Sequence, residues 1–366
     1  MRGEIKRQNE LFSCTPIESR IPKTHILRKI RSMVEPILVK LSPDFDSLYS
    51  ETGRPSIPPE YLLKALLLQV LYTIRSERLL VEQLDYNMLY RWFVGMGADD
   101  KIWEETVFSK NRDRLLEGSI ADRFFTEVVA EANRQDLVSK EHFSVDGTLI
   151  EAWASFKSFQ KKEDDGKKTK SKDDDDTNGR NGGVDFKGEQ RTNQTHESKS
   201  DPEAKIYKKS KGATAKLCFM GHVLMENRNG LAVNSRLSQA TGTAERDAAV
   251  EMATDLPGES RKTLCGDKNY DESKCVGKLR NLKVTPHVAQ NEHAKRTSSI
   301  DGRTTRHPGY EVSIRKRKRI EEIFGWLKDI GLMRKTHFRG LPRVEWRFTF
   351  ALGVYNLVRM SNLCFE

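Results

Sequence analysis

Between Ile57 and Phe93, apolar residues recur at helical spacing: Leu62, Leu63, Leu66, Leu67, Val70 and Leu71, then Leu79, Leu80 and Leu84. Pro58 and Pro59 precede the first run, where a helix start tolerates proline because its first N–H groups have no intrahelical acceptor anyway. Ser76 is placed to cap the next helix, and Gly95 and Gly97 close the group. A further helix is predicted over 119–134, so residues 1–135 read as helical.

The pattern then changes. FSVDGTLI, Phe143–Ile150, is rich in β-formers and predicts a strand. From 157 to 211 the chain is dominated by Lys, Asp, Glu, Gly, Ser, Thr and Asn, a composition too poor in apolar residues to offset its ordering entropy, so a flexible insertion is expected. Its acidic run Asp173–Asp176 reads as solvated. Strands are predicted over 216–226 and 231–237, joined by a turn at Asn227-Arg228-Asn229-Gly230, where Asn-Gly signals a hairpin. A helix over 244–255, strand 262–265, helix 272–281, strand 284–288, a basic helix 312–329 and a last helix 344–360 follow. Three strands and then alternating helices and strands predict an α/β class with a mixed sheet covered by helices.

The 366 residues carry a formal net charge of +10 with 32% charged residues, a surplus that points to an anionic partner such as nucleic acid. No run reaches the ~18 apolar residues of a membrane-spanning helix. MRGEIKRQNELF has no apolar core of a secretory signal. The five cysteines are scattered, with no CxxC pair, which argues against a zinc site or a disulfide scaffold and fits a reducing cytosol.

Three carboxylates then become candidates for metal chemistry. Asp146 lies in an otherwise uncharged strand, where a buried charge is costly unless it serves as a ligand; a solvent-facing strand end is the alternative. Asp267 follows Leu264-Cys265-Gly266 at the carboxyl end of a strand, the edge where open α/β sheets place ligands, although a turn or cap would use the same residue. Glu321 sits in RKRIEEIFGWLK; one continuous helix there puts Arg317, Glu321, Phe324 and Lys328 on one face and Glu322 on another. The cation run Arg315–Arg319 would place positive charge beside such a site, Trp326 and Trp346 are either base-stacking or core residues, and Lys110, Arg112 and Arg114 are further DNA-backbone candidates.

Taken together, these segments resemble the insertion-sequence transposases of the family-four and family-five superfamily. SETGRPSIPPEYLLKALLLQVLYTIRSERLLVEQLDYNMLYRWFVG looks like the helical N-terminal domain, FSVDGTLIEAWAS and CGDKNYD like the two aspartate blocks, GHVLMENRNGLAVNSRLSQATGTAERDAA like the central block, and RIEEIFGWLK like the glutamate block. Arg317, Glu321 and Lys328 match the last three members of that block's pattern; its tyrosine falls on Ile314, with Tyr310 four residues too early. The resemblance implies a ribonuclease-H-like catalytic domain (139–156 and 212–335) interrupted by the 157–211 insertion, preceded by a helical DNA-binding domain (1–138) and followed by a C-terminal helix (336–366). It implies Asp146, Asp267 and Glu321 as catalytic and metal-binding residues for two Mg²⁺ or Mn²⁺ ions. DNA contacts are expected from Arg315, Arg317, Arg319, Lys328, Lys110, Arg112 and Arg114. The expected partners are terminal inverted repeats and target DNA, with a homodimer or higher assembly in a bacterial cytoplasm. A nuclease of the same fold without strand transfer, and a catalytically dead DNA-binding remnant, are the alternatives.

Overall fold

The computed structural model describes residues 16–50, 52, 56–162, 183–186, 188–208, 213–258, 260–292 and 297–363. Its N-terminal part holds six principal helices: α1 (Ile26–Leu48), α2 (Pro59–Leu71), α3 (Glu77–Tyr86), α4 (Met88–Val94), α5 (Thr106–Glu117) and α6 (Ile120–Arg134). Pro59 occupies the first turn of α2, and Ser76 caps α3 by accepting the Leu79 N–H at 3.2 Å. The apolar run of α2 is buried on nearly all sides, since Leu62, Leu63, Leu67, Leu68 and Val70 are 0–1% exposed.

The remaining chain builds a mixed sheet. Strands β1 (His142–Glu151), β2 (Lys216–Glu226) and β3 (Ala232–Gln239) form an antiparallel meander, and β4 (Lys262–Gly266) and β5 (Val284–Val288) add in parallel on the other side of β1. The order β5-β4-β1-β2-β3 is that of a ribonuclease-H-like sheet, with Lys205–Tyr207 added along β2. Between the strands lie α7 (Ala244–Thr254) and α8 (Ser273–Asn281); after them come α9 (Pro308–Arg317), α10 (Ile320–Asp329) and α11 (Leu341–Leu363).

Strand alternation divides the core. Phe143, Val145 and Leu224 pack with α7 and α8 on one face. Ile150, Phe219, Val223 and Met225 face the other way, into a cluster shared with α10, α11 and the N-terminal helices. The helix α11 is buried along most of its length because it lies between α6 and the sheet. One apolar cluster therefore runs from the helical region into the sheet.

Two expectations need correction. The polar stretch 157–211 is folded in part: Phe159–Lys161 pairs with His196–Ser198, and Val184–Phe186 with Glu189–Arg191. Phe159, Ala204, Ile206 and Tyr207 are buried anchors that an averaged composition hides, and Glu203 accepts the Leu341 N–H at 2.7 Å, capping α11. The acidic run 173–176 lies outside the described residues. The basic helix expected over 312–329 is two helices. Arg319, Glu321 and Glu322 donate their N–H groups to residues three back, so the chain tightens to 3₁₀ geometry at Lys318–Arg319. No helix among the described residues is long and apolar enough to cross a membrane.

Candidate active site

Asp146 sits at the middle of β1, paired in register with Val223 on β2. It lies on the same face as Ser144 and Ile150, the face covered by α9 and α10. Strand β4 runs parallel to β1 up to Ser144 opposite Cys265. Two residues on, each strand presents an aspartate, so Asp146 and Asp267 leave the end of the shared ladder side by side and on one face. The turn after β4 is fixed by Asp267 itself, which accepts the Asn269 N–H at 2.8 Å. Gly266 is required there, because a Cβ would come within 2.8 Å of the Tyr270 ring packed beneath it.

The Asp146 side chain is 20% exposed. Burial pushes its carboxyl up to about 6; the Gly147 N–H pulls the other way, the charges of Asp267 and Glu245 add to the rise, and Arg317 opposes it. Arg317 Nη1 lies 3.5 Å from Asp146 Oδ2. The Arg317 Nε is buried without a hydrogen-bond partner among the described residues, which leaves the guanidinium a donor in reserve.

Glu321 lies in the first turn of α10, is exposed, and its carboxylate makes no hydrogen bond or ion pair with another described residue. Helix α10 packs on β1. The 3₁₀ turn ahead of it separates Arg317, which reaches Asp146, from Glu321, which is exposed in the first turn of α10. Glu322 points toward α11 instead, 4.0 Å from Arg359. Phe324 is core, and Lys328 lies half-buried in the last turn of α10. Among the described residues no three His, Cys, Asp or Glu side chains form a ready metal cage.

The remaining candidates divide. Arg315 and Lys110 are exposed, whereas Arg319 donates to the Arg228 carbonyl at 2.8 Å. Arg112 is ion-paired with Glu77 and lies over Phe338, and Arg114 lies over Tyr49, so residues 110, 112 and 114 do not form one free basic face. Trp346 stacks on Phe350 and Trp326 packs against Tyr355, which assigns both to the core. Tyr310 turns inward, donating to the Val288 carbonyl at 3.0 Å.

Several neighbours were not singled out in the sequence. On the opposite face of β1, Glu245 lies over Gly147, where a Cβ would meet its Oε1 at 3.1 Å. His222, opposite Gly147 in the ladder, is fully buried; burial pushes it down to about 4, and Nε2 meets the Ser238 hydroxyl at 2.8 Å. An Asp-Gly pair inside a strand was the one sequence signal of this close approach. Asp271 is fully buried and accepts from Asn291 N, Ser299 N and the Ser298 hydroxyl at 2.6–2.8 Å, tying the chain ahead of α9 to the Asp267 turn. Replacing it with Ala strands those donors; we expect a loss of about 3 kcal/mol in denaturant unfolding, and an unchanged midpoint would reject this role.

The donor set fits a divalent cation. Two carboxylates are held on one face, one of them disfavoured as a bare anion by burial, which is a charge arrangement that a hard cation with oxygen ligands relieves.

Comparison with known proteins follows the same lines. A family model described as Transposase DDE domain matches residues 139–357, and one described as Transposase domain (DUF772) matches residues 15–114. No curated protein matches the chain. Among solved structures, a piggyBac transposase synaptic complex with hairpin DNA is 11% identical, covering 93% of this chain and 73% of its own, with a TM-score of 0.38. A Mos1 mariner paired end complex with Mn is 13% identical, covering 90% and 85%, with a TM-score of 0.20.

Proposed function

The chain belongs to the transposase DDE domain family and is a DDE transposase, and from that premise we propose that Asp146, Asp267 and Glu321 are its catalytic carboxylates and act on the terminal inverted repeats of an insertion sequence. The observation that carries the assignment is the pair Asp146 and Asp267, side by side past the last β1–β4 pair, with α10, the helix that carries Glu321, packed on β1.

The family uses divalent metal, and we assign two Mg²⁺ or Mn²⁺ ions to this trio. Bound there, the ions would supply Lewis acidity at the phosphodiester and lower the pKa of the attacking oxygen. The chain's own residues do the rest. Asp146 and Asp267 hold fixed positions because one is paired within the β1–β2 ladder and the other caps a turn. Glu321, unpaired and at a helix start, closes the set when DNA is seated. Arg317, beside Asp146, would offer a terminal guanidinium nitrogen to the phosphate backbone, and Arg315 and Lys328 would extend the positive surface. The helical region contributes binding of the terminal repeat, and pairing of two ends calls for a dimer or larger assembly.

The test is a linear DNA carrying the element's own end, labelled and incubated with Mg²⁺, Mn²⁺ or chelator alongside unlabelled target. Metal-dependent nicks followed by joined products support the reading. Nicks without joining reduce it to hydrolysis alone, and binding without cutting under any divalent ion rejects it.

A further inference from the structure

A second site lies away from the carboxylates, where the helical region meets the start of α11. A cavity of about 320 Å³ opens between Arg75, Ser76 and Glu77 at the start of α3, Arg112 on α5, His337 and Arg347. It has room for a tetrahedral oxyanion and several waters, at roughly 30 Å³ per water.

Arg347 is the unusual member. It is only 6% exposed, on a helix otherwise packed in the core, yet its guanidinium makes no hydrogen bond or ion pair with any described residue and lines the cavity. Burial, reinforced by the neighbouring charge of Arg112, pulls its pKa down to about 10. An unpaired buried guanidinium is costly, and such groups are ordinarily matched by a carboxylate or an anion. The one carboxylate on the wall, Glu77, is taken by Arg112. Three arginines thus share a wall with a single, already paired acid. The first turn of α3 opens on the same wall, adding its positive end.

We propose that this cavity is a binding site for a phosphate group, with Arg347 as its anchor and Arg75 at its rim. The rim leads toward nucleic acid. His337 packs against Trp153, ring centroids 5.1 Å apart; Trp153 is 44% exposed, and Lys335 lies 5.7 Å over its ring. Trp153 stands two residues beyond the end of β1, the strand that carries Asp146. A phosphate in the cavity with its base against Trp153 would hold a strand on the same side of the molecule as β1's end. The cavity itself is argued from its own charges; only its link to a DNA strand rests on the transposase reading.

The probes are inorganic phosphate and a short duplex of arbitrary sequence, each titrated at constant ionic strength while thermal unfolding is followed. Wild type should be stabilised saturably by phosphate, by the duplex, or by both. Arg347→Met should lose that response, and Arg75→Ala, a rim change that leaves the core intact, should weaken the apparent Kd about tenfold. Stabilisation by phosphate places a free-anion site here. Stabilisation by the duplex alone, still dependent on Arg347 and Arg75, makes the ligand a strand phosphate. If neither probe stabilises wild type, or if Arg75→Ala and Arg347→Met respond as wild type does, the proposal is wrong. The phosphate arm needs no transposition activity, so it fails or succeeds independently of the cleavage assay.

Discussion

Asp146→Asn should lower metal-dependent DNA cleavage at least about a thousandfold while making the metal-free protein more stable. The loss follows from removing a ligand whose ions supply several kcal/mol of transition-state stabilisation, each 1.36 kcal/mol being about a decade in rate. The gain follows from the carboxylate's surroundings. Burial raises the Asp146 pKa from 3.8 to about 6 in the folded chain. A folded-state value above the unfolded one means that ionisation opposes folding. The group's favourable contribution is complete below the unfolded value and is lost as pH rises through about 6. At pH 8 the ionised side chain therefore costs up to about 3 kcal/mol, which Asn does not incur. The 3.5 Å contact with Arg317 offsets only part of this. Unfolding of the two proteins in chelator should coincide near pH 4 and separate between pH 4 and 6, with the variant more stable above. A variant less stable at pH 8 would show that Asp146 is a structural ion-pair partner and not a site held in wait for a cation.

The largest expected loss of stability comes from Glu226, the last residue of β2. It is fully buried, and its two oxygens accept four backbone N–H groups: Ser139 and Arg228 on one, Asn229 and Leu231 on the other, at 2.7–3.1 Å. Around it, Asn229 donates to the Leu137 carbonyl at 2.7 Å and Ser144 donates to Asn227 at 2.6 Å. This one carboxylate joins the approach to β1 to the turn between β2 and β3, and so holds the register in which Asp146 sits. Glu226→Ala leaves four donors without their acceptor in a site closed to water. At about 1–3 kcal/mol for a stranded buried donor, and with partial relaxation, the loss should be about 4 kcal/mol, or about 10 °C in Tm. Glu226→Gln should recover only part of it, since an amide presents one acceptor oxygen and turns its NH₂ against two donors. A Tm within a degree or two of wild type in both variants would contradict this account.

How much of this was visible in the sequence depended on range. Runs whose signal is local were readable: the helical spacing of Leu62–Leu71, the cap at Ser76, and the Asn-Gly turn that closes β2 and β3. The order of strands and helices after 140 was enough to anticipate the sheet, and Asp146 and Asp267 were visible as charges at strand positions. Of the two readings of Asp267, the cap is seen directly, and the residue also stands beside Asp146. What failed were inferences that assumed ideal geometry or averaged composition. The helix over 312–329 was read as unbroken, and two residues of 3₁₀ geometry divide it. The expectation of a flexible 157–211 missed that four apolar side chains suffice to pin its ends. Glu226, Asp271 and Arg347 look like ordinary surface charges in the sequence. Their roles come from backbone groups and cavities supplied by distant segments, which no local pattern carries.

The central claim is that Glu321 joins Asp146 and Asp267 around metal once DNA is seated. It is tested most directly by replacing Mg²⁺ with Fe²⁺ in the DNA-bound protein and generating hydroxyl radicals, which cut polypeptide beside the ion. Cuts near 146, 267 and 321, suppressed by excess Mg²⁺ and by Glu321→Gln but not by Glu322→Gln, are the predicted result. Cuts near 146 and 267 accompanied by cuts near Glu245 with none near 321, or cuts suppressed by Glu322→Gln but not by Glu321→Gln, would show that a different carboxylate completes the site.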